Sequence, residues 1–366
     1  MGRHGYVAYF PNPIPRHVPI SGDNLLRMSD AEAALGRLAG AGRLLPGPQL
    51  LVQPYLRREA VASTRIEGTQ ASLVDVYDAE ASDRPPGAEV EEVVNYVRAM
   101  ETGMDRLRTL PLSVRLIREM HAVILAGVRG RDRQPGQPRR SQNWIGAANA
   151  TIESASFVPP PPDRIHELLA DLERFVHEDP QLPPLVQAAL IHYQFETIHP
   201  FLDGNGRLGR LLIAFFLLVR DRIQEPLLYL SPYLEARRGA YYDALQGVRE
   251  TGDLDRWLAM FLDAVSVQAT DAVVRAERIT DLREHYRGAV AASTRGIANQ
   301  VVELAIEQPV LNARVVAARL QVSRPAALKA LRQLADLGIV TEAAGGPRGQ
   351  LRWRAQEVLS ILAEDT

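Results

Sequence analysis

Apolar residues return every three or four positions along most of the chain, the period of an amphipathic helix. The pattern is clear over residues 50–66 (Leu51, Tyr55, Leu56, Ala60, Val61, Ile66), 89–107 (Val90, Val93, Tyr96, Val97, Met100, Met104) and 113–125 (Leu116, Met120, Ile124). It recurs over residues 163–178 and 184–198, and the spacing of Leu245, Trp257 and Phe261 predicts further helices. Residues 211–219 are apolar on every side, as in a buried helix. Ser29-Asp30-Ala31-Glu32 reads as the start of a helix running to about Gly40. Residues 2–23 instead mix prolines with Tyr6, Tyr9 and Phe10 and read as an extended arm docked on a surface. Residues 79–88 read as a loop, and residues 265–296 as a long polar helix that serves as a linker.

Strand signals are few. Trp144-Ile145 and Phe157-Val158 form a candidate β-hairpin, stopped by Pro159 to Pro162, which have no N–H to pair. Downstream, residues 301–307 and 310–320 read as short helices, and Gln321-Val322 as a turn. Ser323-Arg324-Pro325 caps another helix, continuing through Leu328, Leu331 and Leu334 to Leu337-Gly338. Ile339-Val340 and residues 351–354 then read as strands about the turn at 345–349. The prediction is a mainly α fold with a little β-structure.

The 366 residues are enough for two or three domains. A net charge of −2 argues against a polyanion binder over the whole chain. The absence of cysteine excludes disulfides, thiolate metal sites and a cysteine nucleophile. Lys329 is the single lysine among many arginines. No basic-then-apolar leader opens the sequence, and Tyr6 stands where a myristoylation signal needs Ser or Thr. The longest apolar run, 211–219, is too short to span a bilayer. The expectation is a cytoplasmic protein without a membrane partner.

Candidate chemistry concentrates in Phe195-Glu196-Thr197-Ile198-His199-Pro200-Phe201-Leu202-Asp203-Gly204-Asn205-Gly206-Arg207-Leu208-Gly209-Arg210. So many polar groups pressed against apolar helices are costly unless they bind something. The turn Asp203-Gly204-Asn205-Gly206 feeds a helix, whose unpaired N–H groups and dipole make an anion cradle. Arg207 and Arg210 stand three apart and can both reach phosphate oxygens. Asp203 suits Mg²⁺ beside phosphates, and His199 has the basicity to take a hydroxyl proton. Arg207 and Leu208 spoil an EF-hand reading, and no Gly-Lys-Ser/Thr follows to make a P-loop.

His-Pro-Phe-x-Asp-Gly-Asn-Gly-Arg-x-x-Arg, complete from His199 to Arg210, resembles the signature of the Fic family. The resemblance implies AMPylation, the transfer of AMP from ATP to a hydroxyl of a target protein. It implies His199 as base and Asp203 as Mg²⁺ ligand. Gly204, Asn205, Gly206, Arg207 and Arg210 would hold the phosphates. Upstream, Ser63-Thr64-Arg65-Ile66-Glu67-Gly68 resembles the family's inhibitory motif, with Ser63 and Glu67 on one helix face and Gly68 as the stop. Glu67 would then pair with Arg210 and take the place of the γ-phosphate. The hairpin of Trp144, Ile145, Phe157 and Val158 resembles the flap that aligns a target segment by strand addition. Tyr241 and Tyr242 are expected to lie against adenine.

These expectations divide the chain into an arm and helix (1–49), a Fic-like catalytic domain (50–265), a helical linker (266–298) and a C-terminal module (299–366). The module resembles a winged helix-turn-helix, with Arg324, Lys329, Arg332, Arg348, Arg352 and Arg354 as its positive charge. Expected ligands are ATP and Mg²⁺. Expected partners are a hydroxyl-bearing protein, the chain itself by self-modification, DNA at the module, and a second copy in a homodimer. The alternatives are a nucleotide-sensing DNA-binding regulator, or removal of AMP by the same pocket with Glu67 steering water. His121 and His192 read more readily as structural histidines than as ligands.

Overall fold

The computed structural model describes residues 6–44, 49–82, 84–146, 149–293, 296–343 and 351–364. At its centre two helices pack together, α7 (Pro184–Ile198) and α8 (Asn205–Val219). Both are buried on almost every face, which is why neither shows an apolar stripe. Around them lie α2 (Gln49–Ile66), α3 (Leu73–Glu80), α4 (Ala88–Leu107), α5 (Val114–Ile124) and α6 (Ile165–His177). Local capping sets several of these boundaries. Ser113 Oγ accepts the Leu116 N–H at the start of α5, and Ser72 and Asp75 form a capping box on α3. Glu59, buried on α2, takes bonds from Tyr96 of α4 (2.7 Å) and the Ser231 N–H (3.1 Å), tying α2 to both neighbours.

Two expectations about the outer helices are corrected. α1 (Gly22–Leu44) begins seven residues before Ser29, because Ser21 Oγ accepts the Asn24 N–H at 3.3 Å and caps it. The supposed polar linker is the rear of α11 (Asp255–Ser293), which starts at Asp255 and lies along α1. Its Trp257, Phe261, Leu262, Val265, Ile279 and Val290 are buried, while its outer face carries the charges that made it look polar. By length and composition α11 could cross a membrane, and half of that stretch is buried inside this protein. α9 (Ser231–Ala236) and α10 (Arg238–Thr251) close this side.

The C-terminal elements are α12 (Ala298–Glu307), β1 (Val310–Leu311), α13 (Ala313–Leu320), α14 (Arg324–Asp336), β2 (Thr341–Ala343), β3 (Arg352–Arg354) and α15 (Gln356–Ala363). The sheet order is β1-β3-β2, antiparallel throughout, with Leu311 opposite Trp353 and Glu342 opposite the same Trp353. Val310-Leu311 is therefore a strand and not the first turn of α13, which Asn312 caps through its side chain. Ile339-Val340 leads into β2 as buried chain. α15 was not foreseen; it returns to α11, where Arg275 donates to the Ile361 carbonyl and to that of Glu364 at 2.7 Å. The expected turn at 345–349, with Arg348, lies outside the described residues.

This unit grips α3. Arg352 Nη1 and Arg354 Nη2 lie 2.9 and 2.7 Å from the Asp78 carboxylate, and Arg314 Nη2 donates to the Ala81 carbonyl at 3.2 Å. Arg352 and Arg354 are thus committed to Asp78 and do not supply free positive charge as expected. Arg324, Lys329 and Arg332 are exposed on α14.

Candidate active site

His199 ends α7 in the left-handed conformation, φ 47°, with its N–H on the Phe195 carbonyl at 3.0 Å. A non-glycine residue persists there only when its surroundings insist. Arg139 supplies that insistence. Its Nε donates to the His199 carbonyl (2.9 Å), its Nη2 to Pro160 O (2.5 Å), and its backbone N–H to Pro200 O (2.8 Å). Burial lowers the His199 imidazole to about 4, helped by the guanidiniums of Arg139 and Arg249 and opposed by Glu67. The ring is neutral near pH 7, and its Nδ1 has no hydrogen-bond partner among the described residues. That is the state a general base requires.

The turn after His199 is braced from inside. Asn205 Nδ2 donates to Phe201 O (2.8 Å) and its Oδ1 accepts the Phe201 N–H (2.9 Å). The Asn205 side chain is therefore spent on the loop, and an anion cradle here falls to backbone N–H groups. Gly204, at φ 79°, lets the chain enter α8. His121 reaches up from α5: its Nδ1 accepts the Gly136 N–H at 2.8 Å, so its Nε2–H donates to the Asp203 carbonyl at 2.9 Å. It stacks on Phe201 with ring centres 3.8 Å apart, and burial lowers it to about 4.

Asp203 presents one carboxylate oxygen to the Gly204 N–H (2.6 Å) and Arg207 Nη2 (3.3 Å). Its other oxygen faces Gly130, where a Cβ would come within 2.8 Å. Arg207 points inward, to Asp203 and to the buried Glu92 at 3.5 Å. With both neighbours carboxylates, Arg207 steadies Asp203. Among the described residues no group of three or more metal-ligating side chains is assembled.

Arg210, one turn on, meets the end of α2. Its Nε donates to Ser63 Oγ and its Nη2 to both Ser63 O and Glu67 Oε1, each at 2.8 Å. Gly68, at φ 101°, ends the helix. Burial alone would raise the Glu67 carboxyl, but Arg210 overrides it and holds the group below the usual carboxylate range. The carboxylate lies against the first turn of α8, where a Cβ on Gly206 would overlap Glu67 Oε1. The structure thus brings Ser63, Glu67, Gly206 and Arg210 together at the N-terminal end of α8, and His199 is close enough to feel the Glu67 charge.

The flap is thinner than expected, a single antiparallel bridge between Ile145 and Phe157. Trp144 is 43 % exposed, its Nε1 donating to Ala150 O at 2.9 Å. Phe157 carries the Arg249 guanidinium 3.8 Å above its ring, and Val158 is buried beside it. The tyrosine pair divides. Tyr241 is 1 % exposed and its phenol donates to His192 Nε2 at 2.8 Å, leaving His192 Nδ1–H for the Gly209 carbonyl at 3.0 Å. Tyr241 is therefore a core residue beneath Arg210, which corrects its assignment as an adenine contact. Tyr242, 41 % exposed, is the member open to a ligand.

Three residues around the site were missed from sequence. Arg139 and Arg249 carried no local signal beyond their charge. Glu196 sits inside the motif stretch, three before His199, and that position was the available clue. It is buried, its Oε1 has no partner among the described residues, and burial raises it to about 7, with Arg210 opposing and Glu67 adding to the rise.

Comparisons with known proteins follow the same lines. Residues 25–105 match the Fic/DOC family N-terminal model, and residues 111–217 the Fic/DOC family model. A protein adenylyltransferase Fic of Drosophila yakuba is 30 % identical over 159 residues, 43 % of this chain and 28 % of that relative. A probable protein adenylyltransferase of Aquifex aeolicus is 33 % identical over 99 residues, 25 % of this chain and 30 % of that relative. The matched segments thus span under a third of these curated relatives. In fold, a Fic family protein from Desulfovibrio desulfuricans superposes with TM-score 0.60 at 22 % identity, over 94 % of this chain and 98 % of its own. A Fic domain-containing signaling protein from Bacteroides thetaiotaomicron gives 0.52 at 18 % identity, over 70 % and 97 %. With the motif, the two family models and the shared architecture in agreement, this chain belongs to the Fic/DOC family.

Proposed function

We propose that the chain is a protein adenylyltransferase held in check by its own α2. The observation that carries the reading is the 2.8 Å pair of Glu67 with Arg210, set close to a neutral His199. His199 takes the proton of an acceptor hydroxyl as its oxygen attacks the α-phosphorus of ATP, and pyrophosphate leaves. The first N–H groups of α8 cradle the phosphates, and Arg210 binds the γ-phosphate once Glu67 is withdrawn. With Glu67 in place ATP would sit in a pose unsuited to in-line attack. Asp203, one half-exposed carboxylate beside an anion cradle, suits Mg²⁺ arriving on the triphosphate, where the ion would offset charge on the leaving pyrophosphate. The flap would present the target segment, and Tyr242 would line the base site.

The test is ATP labelled at the α-phosphate. The Glu67→Gly chain should label protein, and His199→Ala added to it should abolish the label. Labelling only from the γ-phosphate would mean a kinase and sink the reading. A second reading rests on Arg324, Lys329 and Arg332, exposed together on α14, which is capped by Ser323. A winged-helix module using this face would bind duplex DNA mainly through phosphates. Gel shifts with the full chain at low salt, where such contacts are strongest, decide it.

A further inference from the structure

Both feet of the flap meet the base at one buried cation. Arg139 is 2 % exposed, and every acceptor its guanidinium meets among the described residues is a backbone carbonyl. Two of them, of Ile198 and His199, close α7, where carbonyls lack partners within the helix and carry the negative end of its dipole. The others, of Ser141 and Pro160, lie at the two feet of the hairpin that Ile145 and Phe157 bridge. The neighbouring chain follows the same plan. The Arg139 N–H reaches Pro200 O at 2.8 Å, and Asn143 Nδ2 reaches Phe201 O at 2.9 Å. Gln142 Nε2 donates to Pro159 O at 2.8 Å and closes the feet on each other.

Burial lowers Arg139 only to about 10, so it is charged at pH 7. A buried charge is a costly way to fill a core. What arginine adds here is geometry, because its donors are fixed in one plane. With Nε on His199 O at 2.9 Å and Nη2 on Pro160 O at 2.5 Å, the guanidinium sets the spacing between base and flap. Arg249 makes a second tie: its guanidinium lies 3.8 Å above the Phe157 ring, and its Nε donates to Thr197 Oγ1 at 3.4 Å. Arg139 shares no bond with Arg210, Ser63 or Glu67, which meet one another instead.

We propose that Arg139 is a positioning residue, which fixes the height of the flap, and so of any acceptor hydroxyl it carries, over the His199 ring. The proposal rests on the adenylyltransferase reading. Arg139 touches no reacting atom; it acts through the His199 backbone on one side and Pro160 on the other. Its loss should therefore slow transfer and leave nucleotide binding alone.

The experiment uses the full chain carrying Glu67→Gly, with α-labelled ATP, Mg²⁺ and a cell lysate as the source of acceptor. Adding Arg139→Ala should lower the maximal labelling rate about a hundredfold, the cost of a misplacement near 1 Å, with the KM for ATP unchanged. Arg139→Lys keeps the cation at the end of α7 but not the paired donors, and should stay slow; it carries the test if the alanine variant does not fold. Trp144 of the flap supplies a readout apart from activity, since Trp257 and Trp353 are buried and acrylamide quenches Trp144 first. That quenching should rise in both variants. Guanidinium chloride, far below denaturing concentration, should fill the space left by Arg139→Ala and recover rate and quenching together. A raised KM with the maximal rate kept, a lysine variant as fast as its parent, or slow variants with Trp144 quenched as before would each overturn the role. Failure of the parent reading looks different: the Glu67→Gly chain itself would label no lysate protein, while the Trp144 difference would still appear.

Discussion

Replacing Glu67 by Ala should expose how the site trades one anion for another. The Arg210 side chain is 2 % exposed and that of Glu67 31 %, so the pair is buried at one end and wetted at the other. Breaking a buried pair from one side costs about 3–5 kcal/mol, because the remaining charge is stranded. Ser63 still accepts two bonds from Arg210, and the lost carboxylate had partial access to water. The expected loss is therefore below that range, about 2–3 kcal/mol. ATP should restore it, since the γ-phosphate would occupy the vacated place. A ligand at a hundred times its Kd adds about 2.7 kcal/mol, close to the deficit. Urea unfolding of both chains at pH 7.5, with and without ATP and Mg²⁺, reads all four values. The variant should be the less stable without nucleotide and should gain much more from it. Equal stabilities without nucleotide, or equal gains with it, would show that Glu67 and the γ-phosphate do not compete for Arg210.

Other outcomes follow from the same site. Because burial holds His199 near 4, AMP transfer by the Glu67→Gly chain should stay level as pH falls from 8 to 5 and decline only as the imidazole protonates near 4; an acid limb centred at the ordinary 6.5 would mean a solvated ring. Glu196, raised from 4.5 to about 7, binds its proton more tightly folded than unfolded. Its stabilising contribution is complete below pH 4.5 and is lost as pH rises through about 7, a loss of about 3 kcal/mol. Glu196→Gln should flatten that decline in denaturant midpoints measured from pH 5 to 8, and an unchanged profile would rule the group out. Gly209→Ala would drive a Cβ into Glu196 Oε1 and within 3.2 Å of the Phe195 ring; a destabilisation of about 1–3 kcal/mol by thermal or urea unfolding is expected.

What could be read along the chain was what the fold keeps local. α7 was legible by its length and bounds, from Pro184 to Ile198, although it is buried all round and has no apolar stripe. His199, Asp203, Gly206 and Arg210 converge because a single loop and the first two turns of α8 carry all of them. The partners that arrive from far away left no such trace. Arg139 meets His199 from sixty residues upstream, and Tyr9 meets Val158 across nearly one hundred and fifty. Glu67 is as distant from Arg210 as these, and it was legible only through a recurring motif. α11 misled for a related reason: different stretches of one helix bury different faces against α1, α7, α12 and α15, so no single stripe persists. Tyr241 misled because an aromatic beside a nucleotide site and an aromatic beneath it look alike in sequence.

The convergence also accounts for why restraint should be intrinsic to this site. α8 opens without a side-chain cap, and its first turn offers unpaired N–H groups and the positive end of the helix dipole. Any anion of suitable size is favoured there, whether phosphate or carboxylate. Glu67 reaches the spot because Gly206 has no side chain and because α2 ends at Ile66, with Gly68 at positive φ turning the chain away just after Glu67. The attraction that would hold the triphosphate is thus the attraction that holds the plug. Strengthening the cradle alone would tighten both, so the balance must be set by whatever moves the end of α2. The elements packed on that helix include α3, α4, α8 and α9, and α12 and α15 of the C-terminal unit.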